Sequence, residues 1–218
     1  MNRKHFWALI LAVMAVVGLS SCSETNNDTE EYPNWQNTNQ EYFSRIFDEA
    51  LANADGKWDT IRCWSLNDTV ARLNPASYIV VHKEEVGEGS GCPLYTDSVL
   101  VYNMGKLLPS TSYPSGYTIE NSWDGDFDDF NASTAYPKKW AVSGLIDGYV
   151  TALQRMHIGD RWRVYMPWTL CYGTEAYNSI PGYSVLVWDI KLLGYYHPGA
   201  EQPEIDAKKH DTNIWVME

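Results

Sequence analysis

The sequence predicts an α+β fold in which one short helix is followed closely by strands in the C-terminal half of the chain. Apolar residues recur at steps of three and four over residues 145–156, which is typical of a helix with one buried face. Gly159 follows where a helix end favours a left-handed residue, and residues 161–166 then alternate as a strand does. An apolar run over residues 185–193 indicates a second strand in this half.

The N-terminal half adds a longer helix and three strands. Apolar residues between Tyr42 and Leu51 form a wide face, and Gly56 provides a stop, so a helix is predicted over residues 38–54. It packs on the same chain or pairs with the same helix of a second chain, and the first arrangement is the simpler one. Strands are predicted over residues 57–65, 77–86 and 98–108.

Residues 108–139 differ in composition from the segments on either side. They contain three prolines and an acidic cluster, which indicates an inserted or elongated loop region. Asp124, Asp126 and Asp128 have the spacing of a calcium-binding loop. However, Asp129 stands where such a loop needs glycine and Ala135 where it needs glutamate, so the sequence argues against calcium.

Five short motifs occur in a characteristic order along the C-terminal half. They are Leu145-Ile146-Asp147-Gly148-Tyr149, Ile158-Gly159-Asp160, Leu170-Cys171-Tyr172-Gly173, Ile180-Pro181 and the strand 185–193. In order and spacing they resemble the FKBP-type peptidyl-prolyl isomerases. Residues 87–91, Pro93, Asp97 and the strand 98–105 also fit the first half of that family's pattern. The resemblance covers residues 78–195.

The resemblance implies an FKBP-like antiparallel sheet of about five strands, curled over the short helix, with an N-terminal helical segment. The predicted organisation follows from this: a lipoprotein signal peptide over 1–21, an acidic tether over 22–34, a helix and strand extension over 35–76, the FKBP-like domain over 77–196, and a C-terminal tail over 197–218.

The resemblance also assigns roles to individual residues. Tyr149 matches the aromatic floor of the proline slot, where the family usually has tryptophan, and the backbone N–H of Ile146 matches a donor to the substrate carbonyl. Tyr172 matches a second, hydroxyl donor. Further catalytic and substrate-binding positions are matched by Trp188 on the last strand and by the apolar wall residues Leu145 and Ile180.

Departures from the family pattern fall in the first half of the site. A gapless alignment matches the family's strand tyrosine to Asn103, with Tyr102 one position early, and a one-residue shift turns a side chain to the opposite face. Tyr102 reaches the slot only if a bulge restores the register. The family's Phe-Asp pair is matched by Ile119 and Glu120, and the next aromatic wall position falls near Lys138.

Residues 1–22 have the pattern of a bacterial export signal. Arg3 and Lys4 precede an apolar run that is too short to span a membrane, and Leu19-Ser20-Ser21-Cys22 resembles a lipobox. The alternative is an ordinary cleaved signal with an incidental cysteine. The sequence therefore predicts a lipid anchor at Cys22, which places the protein in the cell envelope, at the outer membrane, facing the periplasm or the cell surface.

Charge and residue usage exclude several function classes. The formal net charge of −12 argues against nucleic acid as a partner. His82, His157, His197 and His210 show no paired ligand spacing, so no metal or other cofactor is expected. Cys63 and Cys92 can pair in an oxidising compartment or remain thiols.

Two functions remain from these patterns. The leading prediction is a prolyl isomerase that assists the folding of proline-containing exported polypeptides. The alternative is a catalytically degenerate FKBP-fold module that binds a peptide, protein or glycan. The two differ in whether Tyr102 or Asn103 faces Tyr149 and Trp188, because with Asn103 there the slot has lost one aromatic wall.

Overall fold

The structure, a computed structural model, describes residues 30–66 and 74–199. Within these residues the chain forms two α-helices and seven strands. The helices are α1 (Trp35–Ala52) and α2 (Asp147–Leu153), and the strands are β1 (Trp58–Arg62), β2 (Tyr78–Glu85), β3 (Ser98–Lys106), β4 (Thr118–Asn121), β5 (Lys138–Ala141), β6 (Arg161–Met166) and β7 (Leu186–Tyr196).

All seven strands join one antiparallel sheet. Six of them lie in the order β1-β2-β6-β7-β3-β4. The remaining strand, β5, shares the outer edge of β3 with β4. Residues 98–101 of β3 pair with β5, and residues 104–106 pair with β4. The polar groups along the edge of β3 are thereby paired at both of its ends.

The two helices pack on opposite faces of the sheet. Tyr149 of α2 contacts Trp188, so α2 lies on the face to which the even-numbered residues of β7 point. Phe47 of α1 contacts Tyr78, and Tyr42 contacts Tyr165, which places α1 on the other face over β2 and β6. The sheet therefore buries apolar side chains on both sides.

Residues 122–137 pack on the same face of the sheet as α1, over β3 and β6. Trp123, Phe127 and Phe130 pack there against Met104 and Tyr102 of β3. The guanidinium of Arg161 lies 4.7 Å from the ring centre of Phe130, and that of Arg163 lies 4.5 Å from that of Phe127. Cation–π contacts thus attach this loop to β6.

The predicted α+β antiparallel fold is confirmed, and the predicted number of about five strands was too low. Of the two further strands, β4 lies inside residues 108–139, which were interpreted as a loop region, and β5 begins at the end of that region. Each has four residues, too few to produce a recognisable alternation, and forms by pairing with the edge of β3. The predicted helix over 145–156 is shorter, since Ile146 is its N-cap and Gln154 its C-cap.

Candidate functional site

A cleft of about 460 Å³ opens where α2, β7 and the loop after β6 meet. Seven residues that the sequence assigned to the site line this cleft together: Glu120, Leu145, Ile146, Tyr149, Tyr172, Ile180 and Trp188. They come from a strand, a helix start, a loop and a second strand. The fold therefore brings together residues that are up to 68 positions apart, from Glu120 to Trp188.

The floor of the cleft consists of two aromatic rings. Tyr149 and Trp188 are both buried, and their ring centres lie 5.1 Å apart at an interplanar angle of 81°, an edge-to-face contact. The Tyr149 hydroxyl and the Trp188 indole N–H have no hydrogen-bond partner among the described residues. Burial raises the pKa of Tyr149 strongly, so the phenol stays protonated. The side chain of Asn103 lies near the hydroxyl and opposes this shift more weakly, but it does not reach hydrogen-bond geometry.

Asn103, and not Tyr102, faces this floor. Asn103 lines the cleft and is buried, whereas Tyr102 contacts Phe130 on the opposite face of β3, where its hydroxyl donates to the Ala132 carbonyl. The one register shift between β3 and β7 lies at Leu100/Val101, before both residues, so no bulge separates them. The assignment of Tyr102 to the substrate-binding site therefore disagrees with the geometry.

The wall on the β5 side contains a tryptophan that the sequence alignment missed. The aromatic position predicted near Lys138 is occupied by Trp140, two residues later on β5, and Trp140 lines the cleft. Lys138 instead pairs with Glu120, with 3.0 Å between Nζ and Oε1. Alternate residues of a strand share a face, so Trp140 points to the same side of β5 as Lys138. The sequence contained this alternation, but the length of the preceding loop left the position of β5 along β3 unknown.

Two hydrogen-bond donors at the cleft are free of partners within the described part of the chain. The Ile146 N–H precedes the first turn of α2, and the carbonyl of Ile146 already accepts from Tyr149 and Val150. The Tyr172 hydroxyl makes no hydrogen bond there either. Burial is the largest cause that raises the pKa of Tyr172, followed by Cys171 and Tyr177, so this phenol remains a donor at neutral pH.

The loop after β6 is held in one shape by paired backbone groups. Tyr177 and Ile180 exchange two backbone hydrogen bonds around the turn at Asn178, whose φ is +51°. The ring of Tyr177 stacks on that of Tyr172, with 4.5 Å between centres and 5° between planes. The ring of Tyr172 is thus positioned at the cleft by its neighbour.

Other chemistry suggested by the sequence is not supported by the geometry. The carboxylate of Asp126 accepts from Lys106 and Phe127, and that of Asp128 accepts from Arg163, so two of the three acids with calcium-loop spacing are bonded to protein groups. Within residues 30–66 and 74–199, no cluster of potential metal ligands occurs. Cys63, Cys92 and Cys171 are free thiols, so the possible Cys63–Cys92 disulfide is not formed.

The predicted signal over residues 1–21, Cys22 and the tail from residue 200 onward lie outside the described residues. Across the part of the chain that the structure describes, no helix combines the length and apolar character needed to cross a bilayer.

An antiparallel sheet over one short helix, with an aromatic cleft at the start of that helix, defines the chain as a protein of the FKBP fold class. A peptidyl-prolyl cis-trans isomerase from Pseudomonas syringae pv. tomato, solved by crystallography, has this fold, with a TM-score of 0.51 at 19% identity over 74% of this chain and 96% of that one. Residues 114–193 match the model of the family of FKBP-type peptidyl-prolyl cis-trans isomerases. Residues 114–193 are therefore similar to that enzyme family.

Two relatives are similar over different lengths. The FKBP-type 22 kDa peptidyl-prolyl cis-trans isomerase of Escherichia coli is 33% identical over 110 residues, which are 50% of this chain and 46% of the relative. The macrophage infectivity potentiator of Trypanosoma cruzi is 25% identical over 198 residues, 88% of this chain and 86% of the relative. The chain thus spans about half the length of its Escherichia coli relative.

Proposed function

We propose that this protein is a peptidyl-prolyl cis-trans isomerase that acts on proline-containing exported polypeptides. The observation that carries the proposal is the cleft itself, in which the aromatic floor of Tyr149 and Trp188 lies beside two free donors, the Ile146 N–H and the Tyr172 hydroxyl. The family match of residues 114–193 supports the same reaction.

The reaction requires little more than such a cleft. Rotation about an X-Pro bond crosses a barrier of roughly 18–20 kcal/mol, because the twisted amide loses its resonance. A catalyst lowers this barrier by holding the proline ring, keeping water from the amide and fixing the neighbouring carbonyls. No nucleophile or metal ion is needed.

Each cleft residue has a role in this mechanism. The proline ring packs on Tyr149 and Trp188, and the apolar walls formed by Leu145 and Ile180 reduce access of water to the amide. The Ile146 N–H and the Tyr172 hydroxyl donate to the carbonyls on the two sides of the rotating bond. These bonds favour the twisted amide to the extent that they are shorter in the transition state than in the bound substrate.

A matched set of tyrosine variants tests the assignment. In a protease-free isomerisation assay with the purified full-length chain, Tyr172→Phe should lower kcat/KM about three- to tenfold, the effect of losing one hydrogen bond. Tyr136→Phe removes the same hydroxyl from an exposed residue outside the cleft and should leave the rate unchanged. Equal rates for the two variants would remove Tyr172 from the mechanism.

The location of the protein is part of the proposal. The export signal over residues 1–21 and the lipobox ending at Cys22 support a lipid anchor. The tether predicted over residues 22–34 is shorter at its C-terminal end, because Glu31 accepts from Ser110 and Tyr32 contacts Trp35 in the folded part. Mass spectrometry of protein taken from membranes should find a diacylated N-terminal cysteine. The Cys22→Ser variant should be absent from the membrane fraction, and a Cys22→Ser chain that stays there would contradict the anchor.

One observation favours a second candidate, a binding module without catalysis. Asn103 replaces the aromatic wall that the family pattern places opposite Tyr149 and Trp188, so the cleft holds a proline ring on fewer sides. Under this alternative a proline peptide binds but its isomerisation is not accelerated. Measuring both binding and rate with one peptide decides between the two functions.

A further inference from the structure

Outside the cleft, two aromatic rings stack in an exposed position. Trp64 and Tyr95 have their ring centres 4.7 Å apart at 29°, although each ring is about two-fifths exposed, at 41% and 40%. The adjoining Leu94 is exposed as well. We name Trp64, Leu94 and Tyr95 the aromatic ledge. Large apolar side chains grouped at a surface are characteristic of binding sites rather than of ordinary solvated surface.

Hydrogen bonds hold the ledge in place. The indole N–H of Trp64 donates to Asp147 at 3.3 Å, and the backbone N–H of Trp64 donates to Thr151 at 3.2 Å, both on α2. The Tyr95 hydroxyl donates to the Ser143 carbonyl at 3.5 Å. Since the polar groups of both rings are paired within the protein, the ledge offers a partner mainly the apolar surface of the two rings and of Leu94. The surface is therefore rigid and apolar.

The turn that carries Tyr95 is fixed in the same way. Asp97 is buried, its side chain accepts from the Leu94 N–H at 2.7 Å, and its backbone carbonyl accepts from the Val142 N–H at 2.9 Å. This links the ledge to the turn that leads into the cleft at Leu145. Both surfaces consequently belong to one rigid part of the molecule.

An open path joins the ledge to the cleft. Ser143, which accepts from Tyr95, is followed by Gly144, which lines the cleft. A Cβ at Gly144 would meet no atom within 4 Å, so the space over this glycine is open. An extended polypeptide advances about 3.3–3.6 Å per residue, so a side chain two to four residues from a bound proline reaches roughly 7–14 Å along the surface.

We propose that the ledge binds an apolar side chain of the same polypeptide whose proline occupies the cleft. The inference rests on the proposed function only in that the cleft receives a proline. Continuity across Gly144 favours this occupant over a separate partner. The protein thereby selects unfolded chains that carry an apolar residue a short distance from proline, and its binding site is longer than the cleft alone.

Peptide binding tests the proposal without depending on catalysis. The probes are fluorescein-labelled 13-residue peptides with one central proline and a single leucine two, three or four residues away on either side, each compared with a serine partner. Anisotropy titration of the full-length chain should find at least one leucine peptide bound about tenfold more tightly, as expected when part of a leucine side chain leaves water.

Variants of the ledge and of the path complete the test. Trp64→Ala and, as a second variant, Tyr95→Ala should abolish the leucine preference, and Gly144→Leu should reduce it by blocking the path. Tyr113→Ala, a change at another exposed aromatic residue, should preserve it. A preference retained in both ledge variants, or absent from the unmodified chain, overturns the proposal. Ledge-dependent binding without accelerated isomerisation would instead refute only the enzymatic function.

Discussion

The indole ring of Trp188 lies directly on the backbone of Gly105, its cross-strand partner between β7 and β3. A Cβ at residue 105 would come within 2.6 Å of the indole Cη2 and 2.7 Å of two more ring carbons. Only glycine leaves enough room for a tryptophan in this position. Gly105 therefore fixes the indole at its edge-to-face contact with Tyr149, and the floor of the cleft depends on both residues.

Replacing Gly105 by alanine should displace the indole. The overpacking should lower the free energy of unfolding by about 1–3 kcal/mol and weaken the binding of proline peptides. Urea unfolding and peptide titration measure the two effects. The double variant Gly105→Ala, Trp188→Phe should recover part of the lost stability, since phenylalanine has a smaller ring. Gly144→Ala, where no atom lies within 4 Å, is the control and should unfold like the unmodified chain.

Removal of the Tyr149 hydroxyl and removal of its ring should have opposite consequences. The hydroxyl is buried without a hydrogen-bond partner among the described residues, so Tyr149→Phe should leave the free energy of unfolding unchanged or raise it by up to about 1 kcal/mol. Tyr149→Ala opens a cavity in the floor and should lower the free energy of unfolding by about 3–5 kcal/mol. Chemical denaturation tests both, and a clear loss in Tyr149→Phe would mean that the hydroxyl is bonded.

Stability should fall as pH rises through the titration of His82. Its ring nitrogens lie 2.8 Å from Asp55 and 2.9 Å from Glu84. Burial lowers the pKa of His82, but these hydrogen bonds outweigh it, so the net pKa lies above the ordinary value of 6.5. Because the pKa of His82 is raised on folding, the stabilisation by its protonated ring is fully present below about pH 6.5. This stabilisation is lost as pH rises through the pKa of His82 in the folded state.

Thermal unfolding between pH 5 and 9 measures this effect. The His82→Gln variant, which cannot gain a proton, should have a lower Tm than the unmodified chain at pH 5 and a smaller difference at pH 9. The pKa of Asp55 is lowered, chiefly by its bond to His82, so the variant should also lose part of the stability that Asp55 contributes above its ordinary pKa. A difference in Tm that stays constant across the pH range would show that the titration of His82 does not cause the pH dependence of stability.

Neutralising Asp189 should destabilise the protein strongly. This carboxylate is fully buried and accepts from both Arg161 and Arg163, with nitrogen–oxygen distances of 2.8 and 3.0 Å. Asp189→Asn leaves two cations without their shared counter-ion and should lower the free energy of unfolding by about 3–5 kcal/mol.

Asp128 provides a matched control for this prediction. It pairs with the same Arg163 at 3.1 Å, but its side chain is 94% exposed. Asp128→Asn should therefore change the free energy of unfolding by at most about 1 kcal/mol. Urea unfolding of both variants tests the comparison, and similar losses would show that burial of the ion pair does not set its contribution.

Local sequence patterns determined the helix at the cleft and five of the strands, and the family resemblance named seven of the fourteen residues that line the cleft. Leu145, Ile146 and Tyr149 come from one helix start, and Tyr172 and Trp188 stand at fixed distances along the loop and strand that follow. Such spacings survive folding because a helix or a strand sets side-chain direction over a few residues. These positions could therefore be named from the sequence and its resemblance.

Tertiary structure alone decided the features that depend on pairing between distant segments. Whether Tyr102 or Asn103 faces Tyr149 follows from the register of β3 against β7, in which a shift of one residue exchanges the two faces of the strand. Trp140 reaches the cleft because β5 pairs with β3 after a loop whose length no local pattern fixes. The ledge likewise joins Trp64 and Tyr95 from separate segments, since only the packed sheet and α2 bring their rings into contact.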